Sequence, residues 1–170
     1  ITDCIISSLE WRFTDYLLTG QSVKQTGNRR ANSGPSDLYQ VTDGYVYIAA
    51  NGQNLYEKLF AVIGDPAMLG QMYATNDLRV ENHKQLDEII QGWAGVQSKK
   101  ELCARLDAAG IPNAPVMEVE DLVQDPYLKE RELMLELEDP VLGPIPLMAS
   151  PIKMEGGRTD HLPPPTLGQH

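Results

Sequence analysis

The chain has 170 residues, room for one domain or for a small domain with flanking pieces. Hydrophobic residues make up 42% and charged residues 22%, enough for a buried core and too apolar for disorder over most of the length. The net charge of −10, with Arg29-Arg30 and Lys99-Lys100 as its basic clusters, argues against nucleic acid as the main partner.

No apolar run approaches the ~20 residues needed to cross a bilayer, so no membrane partner is expected. Cys4 and Cys103 stand in helical patterns and read as reduced, buried thiols of a cytoplasmic protein. The chain starts Ile-Thr-Asp-Cys, without Met or a signal-peptide pattern, and stops in the Pro-rich "PPPTLGQH". Both ends read as cuts from something longer.

In chain order, residues 1–19 are expected to form one helix, with Ile1, Ile5, Leu9, Phe13 and Leu17 as an i, i+4 ridge and Gly20 as its stop. Residues 20–38 are polar and rich in turn formers. Leu38–Gln40 and Tyr45–Ala50 read as strands joined at Thr42-Asp43-Gly44, since Asp-Gly readily supplies a hairpin turn. A helix follows through Leu55, Leu59 and Ile63 to Gly64, and Asp65-Pro66 starts another with Asp as N-cap and Pro at N1. Asn76 is expected to cap one long helix with the stripe Leu86, Ile89, Ile90 and Trp93. Ser98 to Glu101 is a capping box, and the helix it opens ends at Gly110 with Ile111 packing back.

Beyond Gly110, Pro112 and Pro115 frame a short extended piece ending at Val116. Glu120–Val123 reads as a helical turn and Asp125-Pro126 as a further helix start. Leu133, Leu135 and Leu137 alternate with Met134, Glu136 and Glu138, the mark of a half-buried strand. The prolines from Pro140 onward predict an extended crossing segment with little helix.

Self-sufficient chemistry is absent from the pattern. His83, His161 and His170 have no metal-binding spacing, and His83 reads as a surface residue. There is no G-x-S-x-G elbow, no phosphate loop and no dinucleotide fingerprint. Glu118, Glu120 and Asp121 cluster at a helix start, where carboxylates favour the dipole. One stretch remains, "RRANSGPSDLY". Gly34 can leave backbone amides open to a carbonyl or anionic oxygen, Asn32 and Ser33 add side-chain donors, and Arg30 adds charge. Asn, Ser, Gly and Pro are also simply what turns are made of.

Taken in series, the segments "DYLLTGQ", "GNRRANSGPSDLYQVTDGYVYIAA", "LFAVIGDP", "TNDLRVENHKQLDEII", "LDAAGIPNAPV", "DPYLKERELMLELEDPVLG", "SPIKM" and "PPPTLGQH" resemble the middle and C-terminal part of the family III CoA-transferases. That group includes formyl-CoA transferase, the carnitine CoA-transferases and the α-methylacyl-CoA racemases. The resemblance implies an α/β fold: a large doubly wound domain made from both chain ends, a small α/β domain inserted between them, and two protomers interlocked as rings. On that template residues 1–38 are a helix and linker of the large domain, 39–113 the small domain with its short sheet and several helices, and 114–170 an extended linker and return segment.

The chemistry implied is transfer of CoA between an acyl-CoA thioester and an acceptor carboxylic acid through an enzyme-bound aspartyl intermediate. The aspartate lies in the missing N-terminal large domain, so no catalytic residue is expected here, the isolated chain is expected to be inactive, and no bound cofactor or metal is implied beyond coenzyme A as substrate. Asn32, Ser33, Gly34 and Arg30 fall where formyl-CoA transferase carries a glycine loop over its intermediates, though one glycine replaces a run and Pro35 stiffens it. The racemases have an acidic residue just after the second hairpin strand, where this chain has Asn51-Gly52-Gln53. That favours transferase over racemase, with Gln53 as a substrate contact or, with Asn54, as a helix cap. The other alternative is a standalone binding or dimerisation module with no chemistry.

Overall fold

The computed structural model describes every residue except 10, 23, 157–160 and 170, so His170 lies outside it. By contacts the chain divides into two units, Ile1–Val116 and Met117–His170.

The expected first helix is two helices, α1 (Thr2–Ser7) and α2 (Trp11–Thr19), and neither buries a residue. The apolar ridge points into solvent, with Ile5 62% and Leu17 71% exposed. Cys4 is likewise exposed rather than buried, whereas Cys103 is half-buried, and both thiols are free.

The core of the first unit is built on a three-stranded antiparallel sheet in the order β1 (Ser36–Val41), β2 (Gly44–Ala49), β3 (Asn113–Pro115). β1 starts two residues earlier than predicted. Val41 pairs with Gly44, so Thr42-Asp43 is the two-residue turn, and Gly44 takes a φ of 140° open to glycine. β3 was expected only as an extended piece. It pairs with β2 through Ile48↔Asn113 and Val46↔Pro115.

Alternation puts Tyr39, Val41, Val46 and Ile48 on one face, all buried. Three helices cover that core: α3 (Gln53–Ile63), α5 (His83–Ala94) and α6 (Lys99–Ala108). They contribute Tyr56, Leu59, Leu86, Ile90, Ala94, Leu102 and Leu106. The long helix expected from Asn76 is split at Asn82 into α4 (Asn76–Glu81) and α5. Asn82 caps α4: its backbone N–H and its side chain both donate to Leu78 O at 2.9 Å, and the side chain also donates to Met72 O at 3.2 Å.

The expected end signals are present. Gly64 is left-handed and donates to Phe60 O at 2.8 Å. Asp65 accepts from Ala67 N at 2.8 Å to open a single 3₁₀ turn, Pro66–Leu69. Ser98 and Glu101 bond reciprocally through Ser98 N to Glu101 Oε2, 3.0 Å, and Glu101 N to Ser98 Oγ, 3.3 Å. Asp43 of the hairpin turn accepts from Lys99 N at 2.7 Å, tying α6 to the sheet. At the far end, Gly110 N bonds Asp107 O and Ile111 N bonds Leu106 O, each at 2.9 Å, a complete Schellman closure.

β1 is an edge strand, and α5 reaches it with one side chain. Gln91 accepts from Gln40 N at 2.9 Å through Oε1 and donates to Gln40 O at 2.8 Å through Nε2.

The second unit contains α7 (Val119–Gln124), α8 (Pro126–Glu130) and a hairpin of β4 (Met134–Asp139) with β5 (Gly143–Met148). β4 has the predicted alternation. β5 replaces part of the expected extended crossing: Pro144 and Pro146 are two residues apart, so both sit where a two-stranded ladder needs no N–H.

Truncating a fully buried Leu in this core removes contacts and leaves a cavity. Leu106→Ala should therefore lower unfolding free energy by about 2–5 kcal/mol in denaturant titration of the chain, while Leu17→Ala on exposed α2 should change it by less than about 0.5 kcal/mol. Equal losses at the two positions would contradict the placement of the core.

Candidate functional site

Asn32-Ser33-Gly34-Pro35 leads straight into β1, and the structure pins it from three sides. Ser33 Oγ donates to Asn51 O at 3.3 Å, beyond the end of β2. Asn76, the first residue of α4, donates through Nδ2 to Asn32 O at 3.0 Å and accepts from Gly34 N through Oδ1 at 3.3 Å. The sequence reading made Asn76 a helix cap. Thr75 performs that role, accepting from Leu78 N at 3.3 Å, which leaves the Asn76 side chain for the loop.

The third side is Arg79 of α4, which is 1% exposed. Its Nε donates to Gly34 O at 3.0 Å, and its Nη1 donates to Tyr73 O at 3.0 Å and to Gln53 Oε1 at 2.9 Å. The guanidinium stacks on the Tyr56 ring, 4.4 Å to the centroid. One buried cation thus holds the loop, the start of α3 and a 3₁₀ turn, Gln71–Tyr73, together. Desolvation lowers its pKa below the usual guanidinium range, opposed by the nearby Tyr56 and Glu57.

The Gly34–Pro35 peptide is cis, and both residues are buried. Gly34 does not offer a free amide as the sequence suggested, because its N–H and its carbonyl are both engaged. What it offers is room: a Cβ built there would meet nothing within 4 Å, and its φ lies outside the left-handed region. Of the other expected site residues, Asn32 is exposed, Ser33 is half-buried and Gln53 is tied through Arg79 to Gly34. Gln53 also donates to Glu57 Oε1 at 3.0 Å, so its amide is committed at both ends. Arg30 is exposed, and its carbonyl accepts from Arg29 Nη1 at 3.2 Å.

Beside the loop, Asn51 Oδ1 is a buried acceptor with no hydrogen-bond partner among the described residues. Sequence reasoning missed Arg79 altogether, since an arginine in "NDLRVE" looks like one more solvated charge. Among the described residues no group of His, Cys, Asp and Glu could hold a metal. No described helix is long and apolar enough to cross a membrane.

A short antiparallel sheet under helices, with a loop braced at the start of β1, is the framework of the first unit. The family model described as CoA-transferase family III matches residues 1–170, and the chain belongs to that family. It is 28% identical over 174 aligned residues to the succinyl-CoA–D-citramalate CoA-transferase of Chloroflexus aurantiacus, covering 100% of this chain and 43% of that one. It is 26% identical to the succinyl-CoA:glutarate CoA-transferase of Mus musculus, over 92% of this chain and 36% of that one. The crystal structure of a CAIB/BAIF family protein from Brucella suis matches with a TM-score of 0.81 and 27% identity, over 99% of this chain and 44% of that one. The chain spans less than half the length of these relatives.

The Tyr56 phenol, 5% exposed, donates to Met68 O at 2.6 Å. Burial pushes its pKa from 10.0 to about 12, although Arg79 pulls it down. A raised folded pKa gives stability that is complete below pH 10 and is lost as pH climbs towards 12. Tyr56→Phe should therefore cost about 1 kcal/mol at pH 8, and the gap between parent and variant should narrow between pH 10 and 12 in urea titrations. A gap that stays constant over that window would contradict this assignment.

Proposed function

We propose that this chain is the small-domain part of an enzyme that moves coenzyme A from an acyl thioester to an acceptor carboxylic acid. The observation that carries the reading is the family match over all 170 residues. In the proposed cycle a carboxylate outside this chain attacks the donor thioester carbonyl and expels CoA thiolate, leaving a mixed anhydride. The thiolate attacks the enzyme-side carbonyl, releases the donor acid and forms an enzyme CoA-thioester. The acceptor carboxylate then displaces thiolate, and the thiolate takes up the acceptor acyl group and frees the enzyme carboxylate.

In this reading Asn32 and Ser33 present polar groups to the bound acyl or carboxylate oxygen, Arg30 adds charge beside them, and Gly34 keeps space for it. Gln53 acts at one remove, by holding Arg79 against the loop. Asn51-Gly52-Gln53 stands where the racemases carry an acid, so proton removal next to the thioester carbonyl lacks that group and the transferase reading is preferred. The relatives point the same way, being CoA-transferases whose names include glutarate and D-citramalate, acids with two carboxylates. The reading takes the full-length protein as a cytoplasmic homodimer, on the strength of the family resemblance.

Gly34→Ala is a clean test, because the added methyl meets open space and strains no dihedral. In the full-length enzyme it should lower kcat/KM for CoA transfer by about tenfold or more while leaving the unfolding midpoint in place. Unchanged kcat/KM would remove the loop from the site. The 170-residue chain alone should show no transfer, and turnover by it would overturn the assignment of the nucleophile to another part.

A further inference from the structure

The chain carries 14 lysines and arginines against 24 acidic residues. Four of the 14, Arg12, Lys24, Arg29 and Arg30, line a single open cavity of about 620 Å³ in the first unit. Trp11, Asn32 and uncharged residues of the segment between Lys24 and Asn32 form the rest of its wall, and no acidic residue lines it among the described residues. None of the four cations is in an ion pair among the described residues. Arg12 lies over the Trp11 ring, 5.0 Å to the centroid, and Arg29 uses one guanidinium nitrogen on Arg30 O at 3.2 Å. Arg29 also acts electrostatically on Asp87, favouring its ionised form, but Asp87 does not line the cavity.

Four like charges converging on one space repel each other unless an anion sits among them. Three of the four are arginines, whose planar forks fit the paired oxygens of carboxylate or phosphate. Three of the four side chains are exposed, so each contact is weakened by water, and only a ligand making several at once gains much.

We propose that this cavity binds a small organic anion carrying at least two negatively charged oxyanion groups. The inference rests on the transferase reading for the source of that anion. The cavity shares Arg30 and Asn32 with the loop, so it adjoins the place where substrate would lie. Two substrates of the proposed reaction have the required chemistry: an acceptor acid with a second carboxylate, and coenzyme A with its phosphates.

The test is calorimetric titration of the 170-residue chain, at low salt, with glutarate and with adenosine 3′,5′-bisphosphate. Butyrate and adenosine serve as their less charged controls. At least one dianionic probe should bind about tenfold or more tighter than its control. The paired change Arg12→Gln and Arg30→Gln should weaken it by about tenfold or more, while Lys129→Gln with Arg131→Gln in the second unit should not. Preference for glutarate assigns the cavity to the acceptor acid, preference for the bisphosphate assigns it to coenzyme A, and binding of both makes it a general dianion site. No discrimination from the controls, or equal weakening by the two pairs of substitutions, overturns the proposal. Binding here needs no turnover, so the two readings fail separately. A full-length enzyme active in transfer with no dianion binding sinks the cavity alone, and dianion binding without any CoA transfer sinks the transferase reading alone.

Discussion

A guanidinium removed from water is the constraint around which the first unit is arranged. Arg79 is buried and no carboxylate lies within ion-pairing distance of it among the described residues. Burying such a charge is costly unless polar groups replace its hydration. Here the replacements are neutral: the carbonyls of Gly34 and Tyr73, the side-chain carbonyl of Gln53 and the face of Tyr56. These come from three separate stretches of chain, so satisfying one cation fixes the relative positions of the loop, α3 and the turn before α4. A carboxylate partner would have neutralised the charge in a single contact and left those stretches independent.

Electrostatics at larger scale follow a related division. A chain of net charge −10 repels anions on average, yet four of its cations gather beside the loop. An anionic substrate approaching this unit would meet a local concentration of positive charge at Arg12, Lys24, Arg29 and Arg30. Such contrast narrows the angles from which a charged ligand arrives, and it weakens as salt screens the field over about 10 Å.

Local rules carried much of the fold. The box at Ser98 and Glu101, the Gly110 closure, the Asp-Pro starts and the Thr42-Asp43 turn all depend on residues within six positions of one another, and the α/β fold class was likewise legible. What was lost required distant partners. Arg79 is recognisable only once backbone carbonyls at positions 34 and 73 are brought to it, and backbone atoms leave no trace in residue type. At the helix break, the Asn82 side chain reaches a carbonyl at Met72, ten residues back. β3 is three residues long, too short for alternation to show, and its existence depends on β2. β5 was hidden by Pro144 and Pro146, which argue against a central strand but not against one with a single neighbour. In the candidate site, Ser33 and Gly34 were singled out by residue type alone, which gave no sign that the Gly34 amide is committed to Asn76.

The double hydrogen bond from Gln91 to Gln40 has a consequence for how the sheet meets other chains. An edge strand normally exposes outward-pointing N–H and C=O groups that another strand can adopt. At Gln40 both are already taken by a side-chain amide that mimics a neighbouring peptide. Gly95 makes the fit possible, since a Cβ there would come within 3.0 Å of Gln91 O and 3.1 Å of its Nε2. The sheet is therefore closed to growth near the C-terminal end of β1 by a single residue of α5. A second molecule seeking to continue the ladder by strand addition would first have to displace that glutamine.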